Sequence, residues 1–294
     1  MPVSSEPSRT IVSLWSAESA PVGHFIVLRA LPTQAVQAVG PFVFLDHFGP
    51  FAASPETLPA HPHAGIEVMT YLMEGANEHR DSYGHRGIVE AGGAQWMRAG
   101  RGILHAETNL PQLGPTIHGL QIWARLPVAR QAEEPAYRAI SASDVPHWTK
   151  ASTNGALAEF RLLSGTCQGH TGPIPLAAPA LLLHVHLPPA AQIELPLMPD
   201  FEYGVYGIAG EVHTGDADHT ESLVRGDFAI LGGTTIQLCN KSKHIADVLL
   251  IGGQAAQRPL YFGGPFVMDS PEGLRQAKRN FLAGKMGTLD GVPH

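Results

Sequence analysis

The sequence predicts an all-β protein made of two tandem barrels, with a short helix close to the C-terminal end. Three observations lead to this prediction: many short apolar segments, frequent turn-forming residues and an internal repeat. Charged residues make up only 15% of the 294 residues, whereas Gly and Pro number 32 and 25. Sparse charge with abundant Gly and Pro favours short strands joined by tight turns over long surface helices. The length allows two medium-sized units, each with its own hydrophobic core.

Six apolar segments have the length and the alternation of β-strands. They are HFIVLRAL (24–31), FVFLDHF (42–48), IEVMTYLM (66–73), TIHGLQIWARL (116–126), ALLLHVHL (180–187) and IADVLLIGG (245–253). Pairs of Gly or Pro punctuate the chain between them, as at Gly92-Gly93 and Pro188-Pro189. Many short strands at this spacing are typical of β-sandwiches and barrels.

One segment near the end of the chain carries helix signals instead. Ser270 suits the N-cap, Pro271 suits the first helical position, and Gly284 can end the helix. The apolar residues between them that share one face are Leu274, Ala277 and Phe281. We expect this face to pack against one of the barrels.

An internal repeat sets the organisation of the chain. Residues 61–75 align without a gap on residues 196–210, and residues 93–107 align on residues 226–240. The alignment matches Glu67 with Glu202, Tyr71 with Tyr206, Gly75 with Gly210, Gly93 with Gly226 and Gly100 with Gly233. We therefore predict an N-terminal barrel in residues 1–135, and a C-terminal barrel with the helix in residues 136–294.

Composition excludes several classes of function. The formal net charge is −7 and no run of Lys or Arg forms a basic stripe, which argues against direct nucleic-acid binding. Two cysteines, Cys167 and Cys239, do not make a disulfide framework, so a reducing compartment is the simpler interpretation. No apolar run approaches the ~18 residues that a membrane span requires. The first residues lack the pattern of a signal peptide, and we expect a cytoplasmic protein that does not bind membranes.

Four polar side chains in the N-terminal half have the spacing of metal ligands. His61 and His63 are two residues apart, and so are His105 and Glu107, so each pair can point to one side of a strand. Three imidazoles and one carboxylate suit Fe, Mn, Co, Ni, Cu or Zn better than Ca or Mg. Four protein ligands leave one or two positions open on a five- or six-coordinate metal, as a catalytic site needs.

The repeat separates this interpretation from coincidence, because one H-x-H among 16 histidines means little by itself. The positions in the second half that match the four candidate ligands are Pro196, Met198, Leu238 and Asn240. All four ligands are replaced together while the surrounding framework of Gly and Tyr remains. The framework therefore does not require His, and we predict one divalent transition metal per chain, bound in the N-terminal barrel.

Other polar residues receive structural interpretations. His184 and His186 form a second H-x-H without a matching polar pair, which favours a structural or surface role. Glu67 is expected to belong to the framework because the second copy also has Glu at this position. His79 and Asp81 either orient a ligand imidazole or lie on a solvated hairpin edge. Core positions are expected for Trp96, Met97 and Trp123.

Six motifs together resemble those of a known family. They are FLDHFGP (44–50), HPHAGIEVMTYLMEG (61–75), EHRDSYG (78–84), GAQWMRAGRGILHAE (93–107), HGLQIW (118–123) and GGPFVMDSPEGL (263–274). On these motifs the chain resembles pirin and the bacterial pirin-like proteins, from about residue 24 to residue 286. It departs from the common pattern at Ala64, where an Arg often stands, and in HIADVLLIGGQ (244–254).

The resemblance implies two tandem cupin (double-stranded β-helix) barrels packed face to face, with a short C-terminal helix. It implies one metal in the first barrel, most often Fe(II), bound by the same His61, His63, His105 and Glu107. The implied activity is quercetin 2,3-dioxygenase-type cleavage of a small phenolic or flavonol substrate with O₂. Glu107, the only anionic ligand, is then the natural catalytic base.

Two alternatives stay open at this stage. The first is a non-enzymatic, iron-dependent redox sensor that binds a partner protein in a regulatory role, as the vertebrate member of the family implies. The second is a different cupin chemistry, such as isomerisation or hydrolysis with Zn. The sequence does not choose between these functions. An enzyme needs an open coordination position, and a regulator needs a surface that changes with the redox state of the metal. Both are properties of the folded chain.

Overall fold

The computed structural model describes residues 11–23, 25–55, 57–215, 220–255 and 258–289. In the first half the strands are β1 (Ile11–Ser16), β2 (Glu18–Val22), β3 (Phe25–Leu31), β4 (Phe42–Ala52), β5 (Thr57–His63), β6 (Ile66–Glu74), β7 (Ala76–Asp81), β8 (Arg86–Glu90), β9 (Ala94–Arg98), β10 (Ile103–Asn109), β11 (Thr116–Arg125), β12 (Ala136–Ile140) and β13 (His147–Ala151). Short 3-10 turns span Pro111–Leu113 and Val128–Arg130. The six predicted strands are confirmed in both halves, except that His24, the first residue of one segment, lies outside the described residues.

The second half continues the same pattern and ends in a helix. Its elements are β14 (Leu157–Ser164), β15 (Thr166–Cys167), β16 (His170–Thr171), β17 (Ala180–Leu187), β18 (Gln192–Pro196), β19 (Phe201–Ala209), β20 (Glu211–Gly215), β21 (Thr220–Val224), β22 (Asp227–Leu231), β23 (Thr235–Cys239), β24 (Ala246–Gln254), β25 (Tyr261–Gly263), β26 (Phe266–Met268) and α1 (Pro271–Leu282). Among the described residues, no helix is long and apolar enough to cross a membrane.

Each half forms a barrel from a seven-stranded and a four-stranded sheet. The first barrel has strand orders β12-β9-β6-β11-β4-β3-β2 and β5-β10-β7-β8. The second barrel has strand orders β1-β22-β19-β24-β17-β14-β13 and β18-β23-β20-β21. The order β9-β6-β11-β4 of the first barrel is repeated as β22-β19-β24-β17 in the second, which confirms the internal repeat as a structural one.

Two strands tie the barrels together. Strand β1, at the beginning of the chain, pairs with β22 of the second barrel, whereas β12 pairs with β9 of the first. Strand β1 thus belongs to the second barrel although it lies within residues 1–135. Strand β12 belongs to the first barrel although it lies within residues 136–294. The division into residues 1–135 and 136–294 stays a prediction about separate domains, and the exchanged strands make each half depend on the other.

The barrels pack face to face around a shared apolar cluster. Its members that are at most 2% exposed and come from the facing strands of both halves include Tyr71, Leu120, Ile122, Tyr206, Phe228, Leu249 and Ile251. Each fully buried side chain of this size contributes roughly 1.5–3 kcal/mol to stability. The predicted face-to-face packing is confirmed, and the cluster is its energetic basis.

Repeated residues also make reciprocal hydrogen bonds across this interface. The Tyr71 hydroxyl bonds to His184 Nδ1 at 2.9 Å, and its repeat mate Tyr206 bonds to His47 Nδ1, also at 2.9 Å. Glu67 accepts from the backbone N–H of Ala177 at 3.0 Å, while Glu202 accepts from that of Gly40 at 2.8 Å. The framework role predicted for Glu67 is thus confirmed as an inter-barrel contact.

The predicted helix is confirmed at both ends. The Ser270 hydroxyl accepts a hydrogen bond from the Gly273 N–H at 3.1 Å, which satisfies one of the free donors of the first turn. Ala277 is buried and Leu274 packs in the same cluster, whereas Phe281 stays 38% exposed. The other members of the cluster under the helix are Ala64, Leu104, Phe266, Met268 and Met286. The helix therefore packs on β25 and β26, and the apolar cluster beneath it extends to Ala64, the residue that follows β5.

A fragment that ends at residue 150 should be insoluble, or should unfold at a markedly lower denaturant concentration than the full chain. Such a fragment exposes the apolar cluster between the barrels and leaves β1 without its partner β22. Soluble yield and urea unfolding followed by circular dichroism measure this. A soluble fragment that unfolds at the same urea concentration as the full chain would contradict the prediction.

Candidate metal centre and its cavity

Three imidazoles converge where β5 meets β10 inside the first barrel. In the antiparallel pairing His105 lies opposite His61, and Ile103 lies opposite His63. Alternate residues of a strand share a face, so His61 and His63 both point inward. One ring nitrogen from each of His61, His63 and His105 lies within 4.8 Å of the others. The structure thus brings together three of the four predicted ligands.

The Nδ1 atoms of two of these rings are fixed by carbonyl oxygens. His61 Nδ1 donates to the carbonyl of Pro59 at 2.8 Å, and His63 Nδ1 donates to that of Pro265 at 3.1 Å. A carbonyl only accepts, so the proton of each neutral ring is on Nδ1 and the Nε2 lone pair is free. This is the tautomer that a metal ligand needs.

The free lone pairs fit a metal ion. Nε2 of His63 and Nε2 of His105 are buried and have no hydrogen-bond partner. A buried polar atom without a partner destabilises a fold by roughly 1–3 kcal/mol, so two such atoms at one point require an explanation. A divalent cation bound by His61, His63 and His105 satisfies both.

Burial also favours the neutral form of His63 and His105. Burial, together with the neighbouring imidazole of His61, lowers the pKa of His63 to about 3. The same two causes lower the pKa of His105 well below its usual value. Neutral rings can bind a cation at neutral pH without first losing a proton.

His79 and Asp81 stand behind the ligand rings. Burial would raise the pKa of Asp81, but hydrogen bonds from His79 and His85 outweigh it and lower that pKa. His79 is buried, with Nε2 3.1 Å from Asp81 Oδ2 and Nδ1 3.4 Å from Nδ1 of His105. An ionised Asp81 accepts from His79, so His79 Nδ1 can accept from His105. Of the two alternatives for His79 and Asp81, the structure supports orientation of a ligand imidazole.

Glu107 lies in the same cavity but outside the group of three ring nitrogens. Its Oε1 lies 3.1 Å from Thr70 Oγ1 and accepts from Gln95 Nε2, and its Oε2 accepts from Gln121 Nε2 at 3.3 Å. These three neighbours come from adjacent strands and surround both carboxylate oxygens. The role of Glu107 as fourth ligand stays a prediction.

A cavity of about 740 Å³ opens beside the imidazoles. Its aromatic lining consists of Phe25, Phe44, Phe48, Phe51, Trp123 and Phe262, and its polar lining consists of Arg29, Asp46, Thr70, Asn77, Glu107, Asn109 and Gln121, together with His61 and His63. Trp123 stacks on Phe44 with ring centroids 4.0 Å apart. A planar ring fits such walls well.

Known proteins share the sequence pattern and the fold of this chain. The model of the pirin family matches residues 24–124, and the model of the pirin C-terminal cupin domain matches residues 182–287. The chain belongs to the pirin family. Human pirin is 33% identical over 263 residues, which cover 89% of this chain and 88% of that protein. A pirin-like protein of Caulobacter vibrioides is 34% identical, with 95% and 99% covered.

Among solved structures, a quercetin 2,3-dioxygenase from Acinetobacter baumannii superposes with a TM-score of 0.86. It is 27% identical, and the superposition covers 96% of this chain and 99% of that chain. The shared fold extends over both barrels. The predicted pirin fold of two cupin barrels is therefore confirmed over nearly the whole chain.

Trp123 was expected in the core; it packs against an apolar cluster of the first barrel, but it also forms part of the cavity wall. Gln121, two residues earlier on the same face, was the available signal. Ala64, where the sequence departs from the common family pattern, packs in the apolar cluster under α1 and does not line the cavity. Arg29 and Asp46 were not singled out, because their pairing joins separate strands.

The second H-x-H has the expected structural role. His184 Nε2 and His186 Nδ1 both bond to Oδ1 of Asp247, at 3.1 and 2.7 Å. The hydrogen bond to Asp247 raises the pKa of His186, although burial opposes it. Burial would raise the pKa of Asp247, but bonds from His184 and His186 lower it strongly. These residues tie β17 to β24 within the second barrel.

The change Asp247→Asn should lower the free energy of unfolding most between about pH 4 and pH 6.5. The pKa of Asp247 is lowered on folding, so its contribution is present above the unfolded value and lost as the pH falls. The pKa of His186 is raised, so its contribution is present below the unfolded value and lost as the pH rises. Urea unfolding of both proteins at pH 5.5 and pH 8.5 measures the two differences.

Asp200 is exposed, and the change Asp200→Asn removes one carboxylate charge, as Asp247→Asn does. This variant serves as the matched control. It should shift stability little at either pH. A loss for Asp247→Asn that is equal at pH 5.5 and pH 8.5 would contradict the assigned pair.

One metal should bind per chain, because three imidazoles converge in the first barrel while the matching positions of the second are apolar or satisfied. Leu238 is buried in aliphatic packing, and Asn240 donates to the carbonyls of Leu187 and His244. Elemental analysis after expression with iron should give close to one equivalent. His105→Ala should lose most of it.

The changes His184→Ala and His186→Ala are the controls, since they remove an H-x-H of the same spacing outside the centre. Both proteins should keep the metal. Two equivalents in the unchanged protein, or loss of metal in either control, would contradict the assignment.

Proposed function

We propose that this protein is a metal-dependent dioxygenase that opens the ring of a quercetin-type flavonol with O₂. The observation that carries the proposal is the cluster of three imidazoles, two of them with buried and unpartnered Nε2 atoms, beside a cavity walled by aromatic rings. The likeness to the Acinetobacter baumannii quercetin 2,3-dioxygenase supports it. The substrates would be a small phenolic molecule and O₂.

The donor set suits iron. His61, His63 and His105 would hold Fe(II), with Glu107 as the fourth ligand and at least one position left for substrate. Nitrogen donors with a carboxylate also suit Mn, Co, Ni, Cu and Zn, and Fe(II) is chosen among them because the resemblance to pirin implies it. When bound, the ion would supply a redox-active Lewis acid that lowers the pKa of a coordinated hydroxyl.

Glu107 would remove the proton of the substrate hydroxyl. Gln95 Nε2 and Gln121 Nε2 donate to its two carboxylate oxygens and hold it, so no side-chain rotation is needed when the proton arrives. Thr70 Oγ1 donates its single proton to Gln121 Oε1 at 2.6 Å, which fixes the orientation of that amide. The network positions the base independently of the substrate.

The cavity wall would hold the ring and keep water from it. Phe44 and Trp123 form a stacked pair, and Trp123 meets His63 edge to face with centroids 4.8 Å apart. A flat substrate placed against this pair reaches the imidazole cluster without crossing a polar surface. The acidic chain has no basic stripe, so we assign no nucleic acid as a partner.

Glu107→Gln should lower the rate of flavonol cleavage about 10²–10⁴-fold per bound metal, since Gln keeps the size of Glu but does not accept a proton at neutral pH. Oxygen uptake and loss of the long-wavelength absorbance of quercetin measure the rate. Metal content is determined on each sample, because weaker metal binding would imitate the loss of a base.

Glu90→Gln makes the same chemical change at an exposed position and should leave the rate unchanged. The dioxygenase proposal fails if iron-replete protein in air consumes no O₂ with any flavonol. If, in that case, the Fe(II) and Fe(III) forms bind a cellular protein with different affinity, a redox-sensing regulator replaces it.

A further inference from the structure

A row of polar side chains crosses one wall of the first barrel, on five neighbouring strands. The row runs Gln95, Thr70, Gln121, Asp46, Arg29, on β9, β6, β11, β4 and β3 in that order, and each residue lies directly opposite the next in the strand pairing. Four of the five line the cavity. Directly paired residues share a face of the sheet, so this polar row lies on the side of the imidazoles.

The two ends of the row have different chemistry. At one end Gln95, Thr70 and Gln121 surround the carboxylate of Glu107. The other end is the ion pair of Arg29 and Asp46. Neighbouring strands lie about 4.8 Å apart, so Asp46 is roughly 5 Å and Arg29 roughly 10 Å from the strand of Gln121. The cavity therefore has a second polar group, the ion pair of Arg29 and Asp46, at a fixed distance from the network around Glu107.

The ion pair is well formed, and its carboxylate is buried whereas Arg29 is partly exposed. Arg29 Nε donates to Asp46 Oδ1 at 2.8 Å, and Nη2 donates to Oδ2 at 2.7 Å, which is the two-bond geometry of guanidinium and carboxylate. Asp46 is 3% exposed, and its burial raises its pKa in spite of Arg29. Each carboxylate oxygen keeps a lone pair, and Arg29 keeps further N–H groups, that these two bonds do not use.

Aromatic rings adjoin the pair. Phe44, two residues before Asp46 on β4, stacks on Trp123, and the Arg29 guanidinium lies 4.6 Å from the Phe44 ring centroid. A planar molecule that lies along Phe44 and Trp123 therefore has its far end at Arg29 and Asp46. A hydrogen bond to a charged pair in an apolar wall is stronger than one in water.

We propose that Arg29 and Asp46 form a second subsite, which binds a phenolic hydroxyl on the ring of the substrate that is remote from the metal. A hydroxyl matches the pair because it can donate to Asp46 and accept from Arg29. A carboxylate would be repelled by Asp46, and a methoxy group has no proton to donate. The inference rests on the proposed function for the class of substrate, and it adds which substituent the site selects.

Calorimetric titration of the Zn-loaded protein tests this, because Zn does not change its redox state and the ligand is not consumed. The probes are quercetin, kaempferol and galangin, which carry two, one and no hydroxyls on the pendant ring. The unchanged protein should bind quercetin at least about tenfold more tightly than galangin, as expected for a hydrogen bond to a charged group. Asp46→Asn should remove most of this preference and leave the Kd for galangin within about twofold.

Asp200→Asn removes one exposed carboxylate and should keep the full preference. Arg29→Gln is the second variant, in case Asp46→Asn reduces folding, and it should also weaken the preference. Metal content and thermal unfolding of each variant show whether the centre and the fold are intact.

Galangin bound as tightly as quercetin by the unchanged protein would overturn the subsite, and so would a preference that survives in Asp46→Asn. The outcome is separable from that of the proposed function. If quercetin binds more tightly than galangin but the iron form takes up no O₂, the subsite is retained and the dioxygenase is rejected. If the iron form takes up O₂ but quercetin and galangin bind equally, the dioxygenase is retained and the subsite is rejected. Absence of binding by all three probes overturns the subsite, while O₂ uptake by the iron form remains the test of the dioxygenase.

Discussion

The pairing of β5 with β10 is the constraint on which the centre depends. His105 faces His61 across this pair, but two residues further along, Glu107 faces Leu58, so β5 contains one extra residue. This bulge lies at the Pro59 carbonyl, which accepts from His61 Nδ1. The irregularity in the ladder thus lets a backbone oxygen orient a ligand ring. A slip by one residue would turn both His61 and His63 away from the cavity.

The two barrels share one framework but differ in their interiors. The second barrel is filled by aliphatic side chains, among them Leu195, Ile236 and Leu238, where the first barrel has polar groups and a cavity. A filled barrel is stable without a ligand, whereas a hollow one loses part of its packing energy. The shared apolar cluster and the reciprocal bonds of Tyr71 and Tyr206 join the hollow barrel to the filled one. We infer that the second barrel stabilises the fold of the first.

Polar groups in the cavity are arranged by the sheet and not by local sequence. The row from Gln95 to Arg29 needs five strands in register, and it places the Glu107 network and the ion pair at opposite ends. Aromatic rings flank the row, so the polar groups act in surroundings that are otherwise apolar. This contrast makes each polar contact selective for the group that it meets.

The sequence by itself determined the class of fold, the repeat, the helix with its Ser270 cap and the three imidazoles of the centre. Those features rest on local patterns, since alternation, caps and i, i+2 spacing each involve neighbouring residues. Only the tertiary structure decided that β1 joins the second barrel, that the carbonyl of Pro265 orients His63 from 202 positions away, and that Trp123 forms a cavity wall. Such contacts depend on strand order and register, which no local pattern encodes.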